Sequence, residues 1–207
     1  MADAVFRADQ HARLHEPHIA PVTQFVDERR SSQRWMPYIA PMHGGIDARV
    51  LTVLRDPGPK TQDEGGSGML CVENDDPTAE TQLALMTKSG VKPSDILPWN
   101  AYPWYINAAP SSTQLAEGSE VLRLLVGLLP RVRVVLLQGG EAQRVWRLVL
   151  REEPKLARLE TVATYHPSRS ALRTPDAVER ARRVQHREQS WAAVASLLSV
   201  GREAEDE

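Results

Sequence analysis

Three polar residues of different chemistry follow apolar segments of the chain, each near the point where its segment ends. Asp56 follows the segment 48–55, Asn100 follows 96–99, and His166 stands two residues after 159–164. A carboxylate, an amide and an imidazole together can transfer protons, form hydrogen bonds of both senses and stabilise charge. Each residue also has an ordinary explanation. Asp-Pro-Gly favours a turn, asparagine after a strand often caps a loop, and a histidine before proline can simply bond a backbone carbonyl.

The apolar segments that precede these residues have the composition of β-strands, which are predicted over 48–55, 96–99, 132–137 and 159–164. Helical spacing of apolar residues predicts helices over 21–30, 78–89, 115–129 and 141–150. A last helix is predicted from Thr174, the expected N-cap, with Pro175 and Asp176 in the first turn. Strands alternating with helices predict an α/β fold, a three-layer αβα sandwich with a central four-stranded, mostly parallel sheet.

The carboxyl ends of parallel strands meet at one edge of a sheet, where such folds bind their ligands. Asp56, Asn100, the turn Gly139-Gly140 and His166 all follow predicted strands. We therefore expect an acid, an amide, a glycine turn that opens a helix, and an imidazole to converge on a single cleft.

Length and composition predict one core domain, since 207 residues with 42% hydrophobic content can bury one core. We expect residues 1–42 to be an extension packed on a domain of residues 43–200, with 201–207 an acidic disordered tail. Cys71 is the only cysteine, which rules out an internal disulfide and a four-cysteine metal site supplied by this chain. No segment has the length and apolarity of a membrane span or a signal peptide, so we expect a cytoplasmic protein. We also expect a monomer.

The charge of the chain is small overall but unevenly placed. The formal net charge of −2 argues against a protein that coats nucleic acid through bulk charge. Residues 144–187 nevertheless hold eleven Lys or Arg against five Asp or Glu, a local charge of 11 − 5 = +6. Two explanations stay open, a solvated helix face or a basic surface for a phosphate backbone.

Four short motifs, in order along the chain, resemble those of the uracil-DNA glycosylase superfamily. They are Leu-Arg-Asp-Pro-Gly-Pro at 54–59, Gly-Met-Leu-Cys-Val at 68–72, Pro-Trp-Asn-Ala at 98–101 and His-Pro-Ser-Arg-Ser-Ala-Leu at 166–172. The resemblance runs from about residue 50 to residue 195. The His-Pro-Ser motif is fairly specific, Asp-Pro-Gly is less so, and the ordered set carries the resemblance.

The resemblance implies a monofunctional enzyme of base-excision repair that hydrolyses the N-glycosidic bond of uracil, or a related deaminated or damaged base, in DNA. Asp56 would stabilise the sugar cation and orient or activate a water, while His166 would donate a hydrogen bond to the departing base. Asn100 would read the O4 and N3–H groups of uracil. Gly58 and Val72 would line the base pocket, and no metal or cofactor is expected.

The loop after His166 would hold the DNA and fill the space that a flipped base leaves. Leu172, flanked by Arg169 and Arg173, is the candidate wedge, with local core packing as its alternative explanation. Ser168 and the glycine turn at Gly139 are further candidate DNA contacts.

The chain also departs from the familiar pattern. Gly58 stands where one branch has an aromatic residue that excludes thymine, and Val72 stands near the phenylalanine on which that branch stacks the base. The single cysteine excludes the iron–sulfur branches. We favour a solvated loop for the acidic segment around Asn74, with a reach into the pocket as the alternative. The stacking platform must come from elsewhere, and the candidate aromatic residues are Trp99, Tyr102, Trp104, Tyr105 and Tyr165.

Two other functions stay open at this stage. One is a glycosylase fold that binds nucleic acid or a nucleobase without cleaving it. The other is a different hydrolase, in which Asp56 and His166 transfer protons on a nucleotide-like small molecule.

Overall fold

A computed structural model describes the backbone of residues 1–203 and the side chains of residues 1–200. It contains six α-helices and six strands among these residues, besides five short 3-10 helices. In chain order they are α1 (Ala4–Ala12), α2 (Ala20–Asp27), β1 (Tyr38–Ile39), β2 (Val50–Leu54), β3 (Met69–Leu70), α3 (Pro77–Ser89), β4 (Ile96–Asn100), α4 (Ser112–Val126), β5 (Val134–Gln138), α5 (Gly140–Glu152), β6 (Glu160–Thr164) and α6 (Ala177–Glu203).

The main sheet has the strand order β4-β2-β5-β6, and every neighbouring pair is parallel. Helices α4 and α5 pack on one face of the sheet, and α3 and α6 pack on the other. The predicted three-layer αβα sandwich is therefore confirmed. The two central strands are buried on both faces, which explains why their sequences are continuously apolar and do not alternate.

Residues of the central strands point alternately to the two faces. Leu51 and Val53 of β2 enter the larger apolar cluster with α4 and α5, whereas Val50 enters the cluster with α3 and α6. On β4, the same alternation directs Ile96 to the α3 side and Leu97 to the α5 side. Asn100, four residues after Ile96, therefore stands on the α3 side of the sheet.

The N-terminal residues are tied to the rest of the chain. Val22 and Phe25 of α2 belong to the main apolar cluster, and β1 pairs in parallel with β3 to form a two-stranded sheet. The backbone amide of Met42 donates to the buried Gln10 side chain of α1 at 2.8 Å. Neither α1 nor the pairing of β1 with β3 was predicted from the sequence.

The ends of two helices show how local chemistry sets their limits. Asp76 caps α3 by accepting from the amides of Thr78 and Ala79, at 2.8 and 3.0 Å. The predicted start of α6 is wrong by two residues, because Asp176, not Thr174, accepts from the first helical amides. The carboxylate can accept both bonds and also suits the positive end of the helix dipole.

At its far end, α6 continues to Glu203, three residues into the segment 201–207 that is predicted to be an acidic disordered tail. Residues 204–207 of that predicted tail lie outside the described residues. None of the helices in the described part of the chain is long and apolar enough to cross a membrane.

Candidate active site

A cleft of about 620 Å³ opens at the carboxyl edge of the main sheet. Asp56, Asn100 and His166 all line it, although they lie up to 110 positions apart, 166 − 56 = 110. The structure brings seven of the ten sequence-predicted site residues to this cleft, namely Asp56, Gly58, Val72, Asn100, Gly139, His166 and Ser168. The parallel register of the sheet explains the meeting, because β2, β4, β5 and β6 all end on this side.

Asp56 is held by the turn that follows β2, where Pro57 prevents the strand from continuing. Its side chain is only 3% exposed, whereas its ion-pair partner Arg55 is 40% exposed. The Arg55 guanidinium donates to Oδ1, and Oδ2 is buried without a hydrogen-bond partner among the described residues. A buried carboxylate oxygen without a partner is costly, so this atom points to a ligand or water that the cleft admits.

The electrostatics of Asp56 are balanced between two effects. Burial raises the pKa of the carboxyl group, and the Arg55 guanidinium and then the backbone amides of Ala108 and Asn107 oppose that rise. These two amides act on the carboxylate without being in hydrogen-bond geometry with Oδ2. The carboxyl group is therefore more basic than an exposed aspartate, while Arg55 still favours its charged form.

Asn100 is the last residue of β4 and is paired in register with Leu54 of β2. The next residue, Ala101, donates its amide to the Leu54 carbonyl at 2.7 Å, which fixes the backbone on both sides of the side chain. Asn100 is 1% exposed, and its Oδ1 has no hydrogen-bond partner within the described chain. The amide thus offers an unsatisfied acceptor at the wall of the cleft.

His166 is fixed in one tautomer by the loop that follows it. The Ser168 amide donates to His166 Nδ1 at 3.1 Å, so Nδ1 is an acceptor and the proton of the neutral ring lies on Nε2. The pKa of His166 is lowered to about 4, first by burial and then by the positive charges of Arg55 and Arg187. The ring is therefore a neutral N–H donor at physiological pH.

Gly139 makes room for that ring. Its φ of 107° lies in the region that favours glycine, and a Cβ at this position would stand 3.3 Å from His166 Cβ. Its amide donates to the Thr164 carbonyl at 2.9 Å, which joins the end of β6 to the start of α5. The glycine turn and the histidine are thus parts of one packed unit.

The loop after His166 places the remaining predicted residues around the rim. Arg169 is well exposed and pairs weakly with Glu80 at 3.7 Å, and Arg173 is also exposed. Leu172 is half-buried and packs into none of the three apolar clusters formed by the described residues. These three residues do not line the cleft itself.

Of the five aromatic candidates for a stacking platform, Tyr165 alone lines the cleft. Its ring stands edge-on to His186 at 5.4 Å, and its hydroxyl accepts from Arg182 at 2.9 Å. Tyr105 is half-buried and meets Trp35 edge-on. The others are buried in the main core, namely Trp99, Tyr102 and Trp104.

Asn74 corrects our preference for a solvated acidic loop. It is buried, donates to the Met69 carbonyl at 2.9 Å and lines the cleft, while its Oδ1 has no partner among the described residues. The acidic neighbours mislead because Glu73 and Asp75 face outward, while the Asn74 side chain turns inward to bond β3.

Sequence reasoning missed a buried pair of amides. Gln138, the last residue of β5, donates to Gln82 of α3 at 2.8 Å, and Gln82 lines the cleft. A signal was present, since Gln82 stands three residues after Ala79 and four before Met86 on the buried face of α3. A polar residue at a buried helical position requires a partner.

The basic window 144–187 does not form one surface. Most of its arginines are divided between α5 and α6, which pack on opposite faces of the sheet. Arg187 is buried, with 4% of the residue exposed. The basic groups near the cleft are instead Arg55, Arg169 and Arg173, together with the α6 residues that face Tyr165.

No group of three His, Cys, Asp or Glu side chains among those described is arranged to hold a metal ion. In comparison with known proteins, no family model and no curated sequence matches this chain.

Proposed function

We propose that the protein is a DNA glycosylase that hydrolyses the N-glycosidic bond of uracil, or of a related deaminated or damaged base. One observation carries the proposal. An ionisable carboxylate, an amide and a neutral imidazole line a single cleft, and the carboxylate and the amide each have a buried oxygen that no described residue satisfies. The motif resemblance supports the same reaction.

Asp56 acts on the sugar side of the bond. Cleavage leaves positive charge on the sugar, and a carboxylate close to that charge stabilises it more in the transition state than in the substrate. The free Oδ2 is the atom that orients or deprotonates the attacking water, while Arg55 holds Oδ1.

His166 acts on the base side. Negative charge develops on the departing base, and a neutral Nε2–H group donates a hydrogen bond that strengthens as this charge grows. The ring needs no proton uptake to do so, since its donor is already fixed by the bond from the Ser168 amide to Nδ1.

Asn100 reads the base. Its unsatisfied Oδ1 accepts from an N3–H group, and its amide nitrogen donates to a carbonyl oxygen, which matches uracil. Gly58 leaves the adjacent wall open, because a Cβ placed there would meet no atom within 4 Å. The cleft therefore suits uracil and also larger deaminated bases.

A base-release screen tests the proposal. The substrates are oligonucleotides that contain uracil, hypoxanthine, xanthine or mismatched thymine, each as single and double strands. We expect release of at least one of these bases. Salt-sensitive binding without release would select the alternative of a non-cleaving nucleic-acid-binding protein. Activity on free nucleosides alone would select the small-molecule hydrolase.

A further inference from the structure

Arg187 is a buried cation whose contacts all lead to the loop of His166. Its guanidinium donates to the carbonyl oxygens of His166 and, at 2.9 Å, of Ser168. No described carboxylate pairs with it, and its Nε has no partner within the described chain. Burying an arginine without a counter-ion is expensive, so stability alone does not account for this arrangement.

The two carbonyls that accept from Arg187 belong to the same two residues that form the hydrogen bond fixing the histidine tautomer. The amide of Ser168 donates to His166 Nδ1, and the carbonyls of the same two residues accept from Arg187. A shift of this backbone would turn the Ser168 amide away from Nδ1. The imidazole would then be free to exchange tautomers or rotate.

Arg187 also contributes to the electrostatics of the ring. Its positive charge, together with that of Arg55, opposes protonation of His166. The other titratable groups that line the cleft are Asp56, Cys71, Asp76, Glu141 and Tyr165. Arg187 is the cation that reaches the histidine from the α6 side of the sheet.

We propose that Arg187 is a positioning residue that keeps the His166 ring neutral, Nε2-protonated and aimed into the cleft by holding both backbone carbonyls of the His-Pro-Ser loop. Its relevance to catalysis rests on the proposed glycosylase activity. Its effect on the ring does not, and the two can be measured separately.

Nitrogen NMR of the histidine rings measures the tautomer and the pKa of His166 directly, with the signals assigned by their loss in His166→Asn. We compare the wild type with Arg187→Gln and Arg187→Lys. In Arg187→Gln we expect a mixture of tautomers and a His166 pKa that moves from about 4 toward the ordinary value for histidine. In Arg187→Lys the charge remains, so we expect the pKa to stay low while the tautomer becomes less uniform.

Arg183 provides a matched control on the same helix. It also tethers the loop, through the Ala171 carbonyl at 3.0 Å, but its described hydrogen bonds reach neither His166 nor Ser168. We expect Arg183→Gln to leave the tautomer and pKa of His166 unchanged. Equal changes in the Arg183 and Arg187 variants, or no change in either, would overturn the inference.

Base release provides the second readout. In Arg187→Gln we expect the maximal single-turnover rate to fall about 10- to 100-fold. The enzyme concentration that gives half of this maximal rate should change little. We also expect the fall to grow as the pH is lowered toward 5, because His166 then becomes protonated. Arg187→Lys should recover part of the rate.

If Arg187→Gln does not fold, a fully wild-type rate and tautomer in Arg187→Lys would refute the positioning role of Arg187. If the wild type releases no base but the Arg187 variants change the His166 tautomer and pKa as expected, the proposed activity is refuted and the positioning role of Arg187 is supported.

Discussion

The side-chain oxygen of Asn100 is buried without a hydrogen-bond partner, which lowers the stability of the fold but leaves an acceptor for a ligand. A buried acceptor without a partner costs about 1–3 kcal/mol relative to a satisfied one. The residue is 1% exposed, and the paired backbone of β4 holds it in place. Asp56 Oδ2 and Asn74 Oδ1 show the same feature in the same cleft. Three such atoms in one cleft point to a ligand or water held there.

We expect Asn100→Leu to be more stable than the wild type. Leucine has a similar shape and removes the unsatisfied acceptor, so the free energy of unfolding should rise by about 1 kcal/mol. Base release should fall below detection, since both hydrogen bonds to the base are lost. Urea unfolding measures the stability. A loss of stability of the same size would mean that the amide is a satisfied structural group.

The ends of the parallel strands position the residues of the site. The glycine turn at the start of α5 is the place where the backbone leaves the least room for a side chain. Gly139 combines a φ of 107° with a close approach to His166, whose Cβ would lie 3.3 Å from a Cβ at position 139. Its neighbour Gly140 opens α5 in ordinary helical geometry, and a Cβ there would meet no atom within 4 Å. The two adjacent glycines therefore have different roles.

Gly139→Ala should lower the free energy of unfolding by about 1–3 kcal/mol, because alanine is strained at this φ and its Cβ crowds His166. Base release should fall as well, since the ring must shift. Gly140→Ala is the matched control, and we expect it to be neutral or to stabilise by up to about 1 kcal/mol. Thermal unfolding and single-turnover assays give both quantities. Equal effects at the two positions would contradict the packing of Gly139 against His166.

The sequence predicts the main elements and the convergence of Asp56, Asn100 and His166, because long apolar segments and parallel topology leave few alternatives. It does not predict β1 and β3, since strands of two residues carry no periodic signal. It also places Arg187 on a surface, because the carbonyls that draw it inward lie 21 and 19 positions earlier in the chain. Contacts between distant segments determine whether such a residue is buried, and local sequence patterns carry no information about those contacts.

At the scale of the whole molecule, the buried His43 and the half-buried His166 make the stability of the fold depend on pH. His43 lies in the N-terminal part, where it contacts the Pro93 carbonyl at 3.2 Å and accepts from the Val72 amide at 3.4 Å. Burial lowers the pKa of His43 to about 4, and the pKa of His166 is also about 4. Both rings are neutral in the folded protein and charge more readily when it unfolds.

Stability should therefore fall as the pH is lowered from about 6.5 toward 4, because the unfolded chain takes up protons that the folded chain refuses. Each histidine contributes a slope of about 1.4 kcal/mol per pH unit in this window. Asp56, whose pKa is raised in the folded state, offsets part of the loss. Urea unfolding between pH 4.5 and 6.5 should show a smaller slope in His166→Asn. The exposed His15 supplies the control variant, His15→Asn, and a slope equal in all three proteins would contradict this account.

The most direct test of the central claim is the rate of uracil release from a single-stranded oligonucleotide under single-turnover conditions, with wild type, Asp56→Asn and Asp47→Asn compared. Asp47 is an exposed aspartate that pairs with Arg131 before β2, at the opposite end of the strand. We expect the wild type and Asp47→Asn to release uracil at the same rate and Asp56→Asn to be slower by about 10²- to 10⁴-fold. Equal rates in all three proteins would contradict the assignment of Asp56, and no release by any of them would contradict the proposed cleavage of uracil.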